Sequence, residues 1–350
     1  MKIEIITIHR LNNFGSAFQA WALYEYLRNA GYEVELLDYH PAYYKGKKLK
    51  NKIGRILFWK DLKERERKFD QFIEQNAKLS PKRYTKLVQL EKNHPKADLY
   101  ISGGDQLWNY YHICGNDDVY KLTFWNGRKI SYGTSLGGEK FAKAQLDDLC
   151  SKLADFENIA VRESKSVKLL SKRGIQAQWV VDPVLLISRE QYEQLIIRPQ
   201  QKEKYVFVYL TAPSALLDES VEFLSKKANL KVIVYAGFGH KCKCDVQERN
   251  LGPEEVLGYI HDAEFVLSAS FHATLFSIIF KKKFGVLLPG EETNERILDL
   301  LSWTGLEQGL VKQNGDVKKI YNQKDFYPDS VDQVIAKRIQ ESEDYLKSSI

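Results

Sequence analysis

The sequence predicts an α/β protein built from two doubly wound parallel-sheet domains. Three observations carry that prediction. Short apolar runs alternate with helical patterns along the whole chain, which argues for parallel sheets covered on both faces. A length of 350 residues is more than one core usually serves and suits two domains. Near the middle, the polar stretch Arg198-Pro199-Gln200-Gln201-Lys202-Glu203-Lys204 interrupts the alternation. A Pro among polar residues marks a joint, so the first domain is expected over 1–198 and the second over 199–330.

The elements follow in order. Residues 2–8 read as the first strand; Glu4 comes too early, and the apolar run is too short, for a signal peptide. Asn12 or Asn13 can cap a helix from about Gly15 to Ala30, where Ala17, Phe18, Trp21, Tyr24 and Leu27 recur at helical spacing. Gly31 ends that helix, and Glu33–Asp38 is the second strand. A charged helix covers about Asp61–Lys78. Asp98–Ser102 and Lys129–Thr134 are strands that end in Gly103-Gly104-Asp105 and Ser135-Leu136-Gly137-Gly138. Asn158–Val161 is a short strand leading into Arg162 and a helix that stops near Gly174. Trp179–Val181 ends at Asp182-Pro183. The second half restarts with the strand Tyr205–Leu210, a helix near Ala215–Ala228 and the strand Lys231–Tyr235. Pro253 stands at a helix start, a position it favours. The apolar run Glu264–Ser268, a helix over Phe276–Phe280 and the strand Phe284–Leu288 follow. Val331 to about Leu346 is a long amphipathic helix.

Composition narrows the class. A hydrophobic content of 44% with 21 Gly is globular. The four cysteines, Cys114, Cys150, Cys242 and Cys244, are too scattered for a disulfide framework. Cys242 and Cys244 flank one Lys, too tight for an ordinary structural zinc pair. Reduced thiols predict a cytoplasmic protein without a metal. No run of about eighteen apolar residues exists to span a bilayer. The net charge of +6 is local, because Lys45–Lys68 alone carries +8 and the remainder sums to −2. Leu49, Ile53, Ile56, Leu57, Phe58 and Trp59 interleave with that charge. Such a segment either lies on an anionic membrane surface or packs its apolar stripe on its own domain. No nucleic-acid motif accompanies it.

Polar residues gather where strands end. His272 lies in Ser270-Phe271-His272-Ala273-Thr274, at the turn where a strand hands over to a helix. Carboxyl ends of strands are where open α/β sheets bind ligands, and a helix N-terminus favours an anion. An imidazole there can move a proton near neutral pH; a core or capping histidine is the other reading. At the first strand end stand His9, Arg10, Asn12 and Asn13, with the small pair Gly15-Ser16. They suit a phosphate or sugar contact but lack dinucleotide-site spacing. Asp105, Gln106, Trp108 and Asn109 combine a carboxylate, two amides and an indole, as sugar recognition requires, or form a turn around a core Trp. Arg162 can hold an anion through two parallel bonds or pair with Glu163 or a neighbour.

Together these segments resemble the polysaccharide pyruvyl transferase family. The matching pieces are His9-Arg10-Leu11-Asn12-Asn13-Phe14-Gly15-Ser16-Ala17-Phe18-Gln19-Ala20, Ser102–Asn109, Ser131–Gly137, Val161-Arg162-Glu163, Val181–Leu186 and Ser270–Thr274. They occur in the family's order over about residues 1–290. The resemblance implies a fold like the glycosyltransferase B type, with two Rossmann-like domains, an active site in the cleft, and the helix 331–350 packing back towards the first domain. It implies an enzyme that takes phosphoenolpyruvate as co-substrate, needs no further cofactor, builds a pyruvate ketal on a sugar and releases phosphate. The acceptor belongs to a cell-surface polysaccharide or its precursor, free or lipid-linked, which fits a location at the inner membrane face.

In that reading His272 is the acid or a phosphate partner and Asp105 the base. Arg162, Arg10, Ser270 and Thr274 serve the donor; Asn12, Asn13, Gln106, Trp108 and Asn109 serve the acceptor. One departure stands out: some members carry Arg two residues before the histidine, where this chain has Ser270. Two alternatives accompany the reading. One is a glycosyltransferase using a nucleotide sugar, with a pocket at Gly237-Phe238-Gly239 or Gly290-Glu291-Glu292. The other is an inactive glycan-binding protein.

Overall fold

Strand β1 (Lys2–Ile6) lies at the centre of the first sheet, and Ile3, Ile5 and Ile6 on it are fully buried. Helix α1 (Phe14–Asn29) follows, capped by Asn13, whose Oδ1 accepts from the Gly15 and Ser16 amides at 3.0 and 3.3 Å. The cap satisfies amides that have no partner within the helix. Next come β2 (Glu33–Leu36), α2 (Trp59–Asn76), β3 (Leu99–Gly103), β4 (Lys129–Tyr132) and α3 (Lys143–Leu153). The four strands pair in parallel in the order β2-β1-β3-β4. The chain leaves β1 towards β2, then crosses back to β3. That reversal puts a switch point at the carboxyl ends of β1 and β3. A small parallel pair, β5 (Ala160–Val161) and β6 (Gln178–Trp179), brackets α4 (Ser164–Ser171). Single bridges from Ile130 to Asn158 and from Thr134 to Val161 join it to β4.

The second sheet is also parallel, in the order β12-β11-β10-β7-β8-β9. Its elements are β7 (Tyr205–Leu210), α5 (Leu217–Lys226), β8 (Lys231–Ala236), β9 (Val246–Glu248), α6 (Pro253–Asp262) and β10 (Phe265–Ser268). They continue with α7 (Phe271–Ile279), β11 (Phe284–Leu287), α8 (Glu291–Thr304), β12 (Leu310–Val311), α9 (Asp316–Asn322) and α10 (Ser330–Ser349). Here the order reverses between β7 and β10. Both are buried along their whole length, as strands covered on two faces must be.

This computed structural model describes residues 1–46, 58–210, 214–236, 242–288 and 291–350. The segment 47–57 with its lysines, Gly237-Phe238-Gly239 and Gly290 lie outside the described residues. The chain divides into Met1–Lys52, Phe69–Ile187 and Ala336–Ile350 as one unit, and Ile53–Lys68 with Ser188–Ile335 as the other.

The expected joint at 198 is therefore corrected to 187. Tyr192 explains the shift: it is fully buried in the second unit, edge-on to Phe276 at 5.0 Å. The Ile197 amide also donates to the Glu254 carbonyl at 3.2 Å. The polar stretch after it is a connection inside the second unit. From Ala336 onward α10 belongs with the first unit, where Tyr345 Oη donates to the Ser131 carbonyl at 2.8 Å. Ser342 Oγ accepts there from the Val181 amide at 2.9 Å.

The described end of the basic segment packs on the second unit. Lys68 Nζ meets both Glu255 carboxylate oxygens at 2.8 and 2.7 Å, and the Arg249 guanidinium lies 4.6 Å from the Phe58 ring. Trp59 remains 48% exposed. Among the described residues, no helix is long and apolar enough to cross a membrane.

Candidate functional site

Asp105 closes β3 in the left-handed backbone region, with φ of +49°. Few residues other than Gly and Asn adopt that conformation as readily as Asp. Gly104 before it has φ of +66°, and a Cβ there would come within 1.5 Å of Gln19 Oε1. Gln19 cannot withdraw, because its Nε2 donates to Thr7 Oγ1, the Ile8 carbonyl and the Ser16 carbonyl at 2.8, 3.1 and 3.0 Å. The tight turn thus fixes the Asp105 carboxylate at the switch point. Ser16 Oγ donates to its Oδ2 at 2.5 Å, and the Gln106 amide donates to its Oδ1 at 2.8 Å. The side chain is nearly enclosed, 8% exposed. A carboxylate held this way can orient a hydroxyl and accept its proton.

The loop after Asp105 divides the acceptor candidates. Trp108 is fully buried; its Nε1 donates to the Tyr120 carbonyl at 3.2 Å and its ring meets Phe156 at 5.9 Å. It is a core residue, and the expected stacking role is corrected. An indole surrounded by apolar side chains has no face left for a sugar. Gln106 and Asn109 hold each other, Nδ2 to Oε1 at 2.8 Å, and Asn109 Oδ1 accepts from the Tyr111 amide at 3.0 Å. Tyr111, which the sequence reading passed over, is 58% exposed. Its signal was an aromatic residue in a polar loop two positions after Asn109. Asn12 and Asn13 are exposed at the start of α1, and Asn13 is its cap.

Arg10 and Arg162, the two arginines of the first unit expected at the donor, both meet carboxylates. Arg10 bonds Asp38 twice, at 3.0 and 2.9 Å, and reaches Asp70 and Glu74 at 2.9 Å each. The Arg10 guanidinium thus faces three carboxylates. Arg162 is buried; its Nη1 bonds Asp182 and its Nε lies 3.4 Å from Glu163 Oε1. Asp182 Oδ1 in turn accepts from the Val184 amide at 3.1 Å. The side chain clamps the β5 end to the turn at Pro183. That is the ion-pair reading of Arg162. His9 is buried, its Nδ1 3.1 Å from the Thr7 carbonyl and its Nε2 3.7 Å from Asp38.

In the second unit, β10 hands over to α7 as the apolar pattern requires. Ser270 caps the helix, its Oγ accepting from the Ala273 amide at 3.4 Å, and Thr274 Oγ1 donates back to the Ser270 carbonyl at 3.0 Å. Ser270 and Thr274 thus build the turn. His272 is the second residue of α7, 6% exposed, with its ring perpendicular to Phe271 at 5.1 Å. Arg296 on α8 places its guanidinium carbon 5.9 Å from the same Phe271 ring. Asp105 and Arg162 belong to one unit, His272 and Arg296 to the other.

A cavity of about 400 Å³ opens elsewhere in the second unit, between α5 and the start of β8, lined by Asp218, Glu222, Lys226, Lys243, Cys244 and Asp245. Among the described residues, no three or more His, Cys, Asp or Glu side chains form a group that could hold a metal.

Two Rossmann-like α/β units with candidate groups at their strand ends define the glycosyltransferase-B class, and solved structures share that fold. UDP-GlcNAc 2-epimerase from Neisseria meningitidis, bound to UDP-GlcNAc, aligns with a TM-score of 0.56 at 11% identity, over 99% of this chain and 100% of that one. The epimerase from Methanocaldococcus jannaschii gives 0.55 at 12%, over 97% and 100%. The glycotransferase of kitacinnamycin gives 0.57 at 10%, over 99% and 97%. At such identities these likenesses show the fold alone. The sequence profile of polysaccharide pyruvyl transferases matches residues 13–289, and the chain belongs to that family of transferases. No curated protein matches it.

Proposed function

We propose that the protein transfers the pyruvyl group of phosphoenolpyruvate to two hydroxyls of one sugar, in a cell-surface polysaccharide or its precursor. The observation that carries this reading is the Asp105 carboxylate, fixed at a strand's carboxyl end in a chain of the pyruvyl transferase family. The second unit serves the donor and the first the acceptor. His272 delivers a proton to the methylene carbon C3 of the donor. The electron-poor C2 that results is attacked by the first sugar hydroxyl, whose proton passes to Asp105. Phosphate then leaves with its bridging oxygen, and the second hydroxyl closes the ketal at C2. Of the two hydroxyl protons, one balances that gained at C3 and the other leaves on phosphate. The exposed Tyr111 ring, beside Asn109, takes over the stacking contact that the buried Trp108 cannot make. The reaction runs on the cytoplasmic side, with the basic segment against an anionic membrane surface.

The test is phosphate release and acid-labile pyruvate, measured with phosphoenolpyruvate and a panel of free and lipid-linked sugars. His272→Ala and Asp105→Asn should each lower turnover by about 10²–10⁴-fold, the worth of a positioned acid or base, with melting curves unchanged. A His272→Ala variant that melts early yet keeps its specific activity marks a core histidine instead. If the wild type ignores phosphoenolpyruvate and turns over a nucleotide sugar, the glycosyltransferase reading replaces this one.

A further inference from the structure

We propose that Arg296 supplies the permanent positive charge that holds the anionic donor beside His272. The proposal rests on the pyruvyl-transfer reading and extends it to a residue outside the stretch, 13–289, that the family profile matches. Phosphoenolpyruvate carries a carboxylate and a phosphate, so its seat needs more positive charge than a helix end provides. A helix N-terminus offers only about half a charge, and the turn Ala269-Ser270-Phe271-His272-Ala273-Thr274 contains no Arg or Lys. Arg10 and Arg162 are committed to carboxylates in the first unit.

The structure brings a guanidinium to this turn from a different element. Arg296 lies in the second turn of α8, half-buried, with Cζ 5.9 Å from the Phe271 ring. The His272 imidazole stands 5.1 Å from that same ring, at 90° to it. The Phe271 side chain, 7% exposed, therefore neighbours both a guanidinium and an imidazole at the carboxyl end of β10. A guanidinium can bond a carboxylate or phosphate through two parallel N–H groups, which an ammonium cannot do. The acids nearest Arg296 in sequence, Glu295 and Asp299, lie on the same helix.

Calorimetry of the full chain with phosphoenolpyruvate tests this. Arg296→Ala should weaken donor binding roughly 10- to 150-fold, what a hydrogen bond to a charged group is worth. Arg296→Lys should fall between that variant and the wild type. Ser270→Arg in the Arg296→Ala background should recover most of the loss, because position 270 puts a new guanidinium on the same turn. Melting curves of all variants should coincide. Arg296→Ala that binds as the wild type does overturns the inference alone. Loss of binding that tracks loss of thermal stability, without recovery in the double variant, overturns it too. A wild type that does not bind phosphoenolpyruvate at millimolar concentration removes both the inference and the reading beneath it.

Discussion

Arg162 is the residue whose surroundings decide its role most sharply. Its guanidinium is enclosed beside Asp182 and Glu163, which are 3% and 5% exposed. Burial works against its charge, and Asp182, Glu163 and Asp105 together more than offset that, so its pKa is raised. Deleting one partner of a buried pair is far more damaging than the pair's net worth, because the remaining charges lose their counter-ion in a poorly solvated place. Arg162→Ala should therefore destabilise the protein by about 3–5 kcal/mol, read as a drop in melting temperature or urea midpoint. Donor affinity of the folded fraction should not change. A variant that melts normally but loses phosphoenolpyruvate binding would return Arg162 to the donor site. The sequence left two roles open here because the deciding partner, Asp182, lies 20 positions away in the chain. Arg10 repeats the lesson: its carboxylates are 28, 60 and 64 positions distant. Trp108 differs, since its polar neighbours in sequence suggested a surface that the fold buries.

At the scale of elements, the apolar periodicity located β1 to β8, β10 and β11, because burial on both faces of a parallel sheet writes itself into local sequence; α3, α8, α9, β9 and β12 were not read from it. Asn13 and Gly31 took their expected roles at helix ends, since caps depend on neighbours within a few residues. Strand pairing was not legible, and it sets an unusual pair: Glu4 on β1 stands directly opposite Glu35 on β2. Glu4 is fully buried and Glu35 is 3% exposed. Burial, then the adjacent Glu35, pushes Glu4 up to about 9 from an ordinary 4.5. Burial acts on Glu35 in the same direction, but Lys78, Glu4 and Lys2 outweigh it and hold Glu35 low. The pair thus carries one proton at neutral pH, on Glu4.

The consequence for stability has a definite sign. The folded protein keeps this proton up to about pH 9, while the unfolded chain releases it above about 4.5. The Glu4 contribution is complete below the unfolded value and is lost as pH rises through the folded one, at up to about 1.4 kcal/mol per pH unit. Glu35 acts in the opposite sense and only at acid pH, because its folded value lies below the ordinary one. Between pH 6 and 9, therefore, Glu4 is the member of the pair that matters. Glu4→Gln, which mimics the protonated form, should flatten the fall in urea-unfolding stability over that range. Equal slopes for variant and wild type would show that Glu4 is ionised in the fold.

At the scale of the whole molecule, charge is distributed unevenly. Residues 45–68 carry +8 of a net +6, so the rest of the surface is slightly acidic. In the described end of that segment, Lys68 is held by Glu255 and Asp61 lies 3.4 Å from Asn250 Nδ2. Residues 58–68 are thereby held within the second unit, as a self-packing stripe requires. Trp59 is the exception: its ring is half exposed, with the ammonium groups of Lys63 and Lys60 at 5.0 and 6.0 Å. An exposed indole beside lysines is suited to the headgroup layer, where the ring sits at the interface and the charges meet anionic lipid. Each lysine near such a surface contributes about 1 kcal/mol. Replacing Lys47, Lys48, Lys50 and Lys52 with Gln should then weaken binding to phosphatidylserine vesicles by about a thousandfold, while turnover of a soluble acceptor is kept. Raising salt from about 0.1 to about 1 M shortens the screening length from about 10 to about 3 Å, so wild-type flotation should fade over that range. Trp59→Ala should reduce binding at every salt concentration, because the ring's contribution is not screened. Equal flotation of the wild type with neutral and anionic vesicles would exclude the electrostatic attachment of this segment.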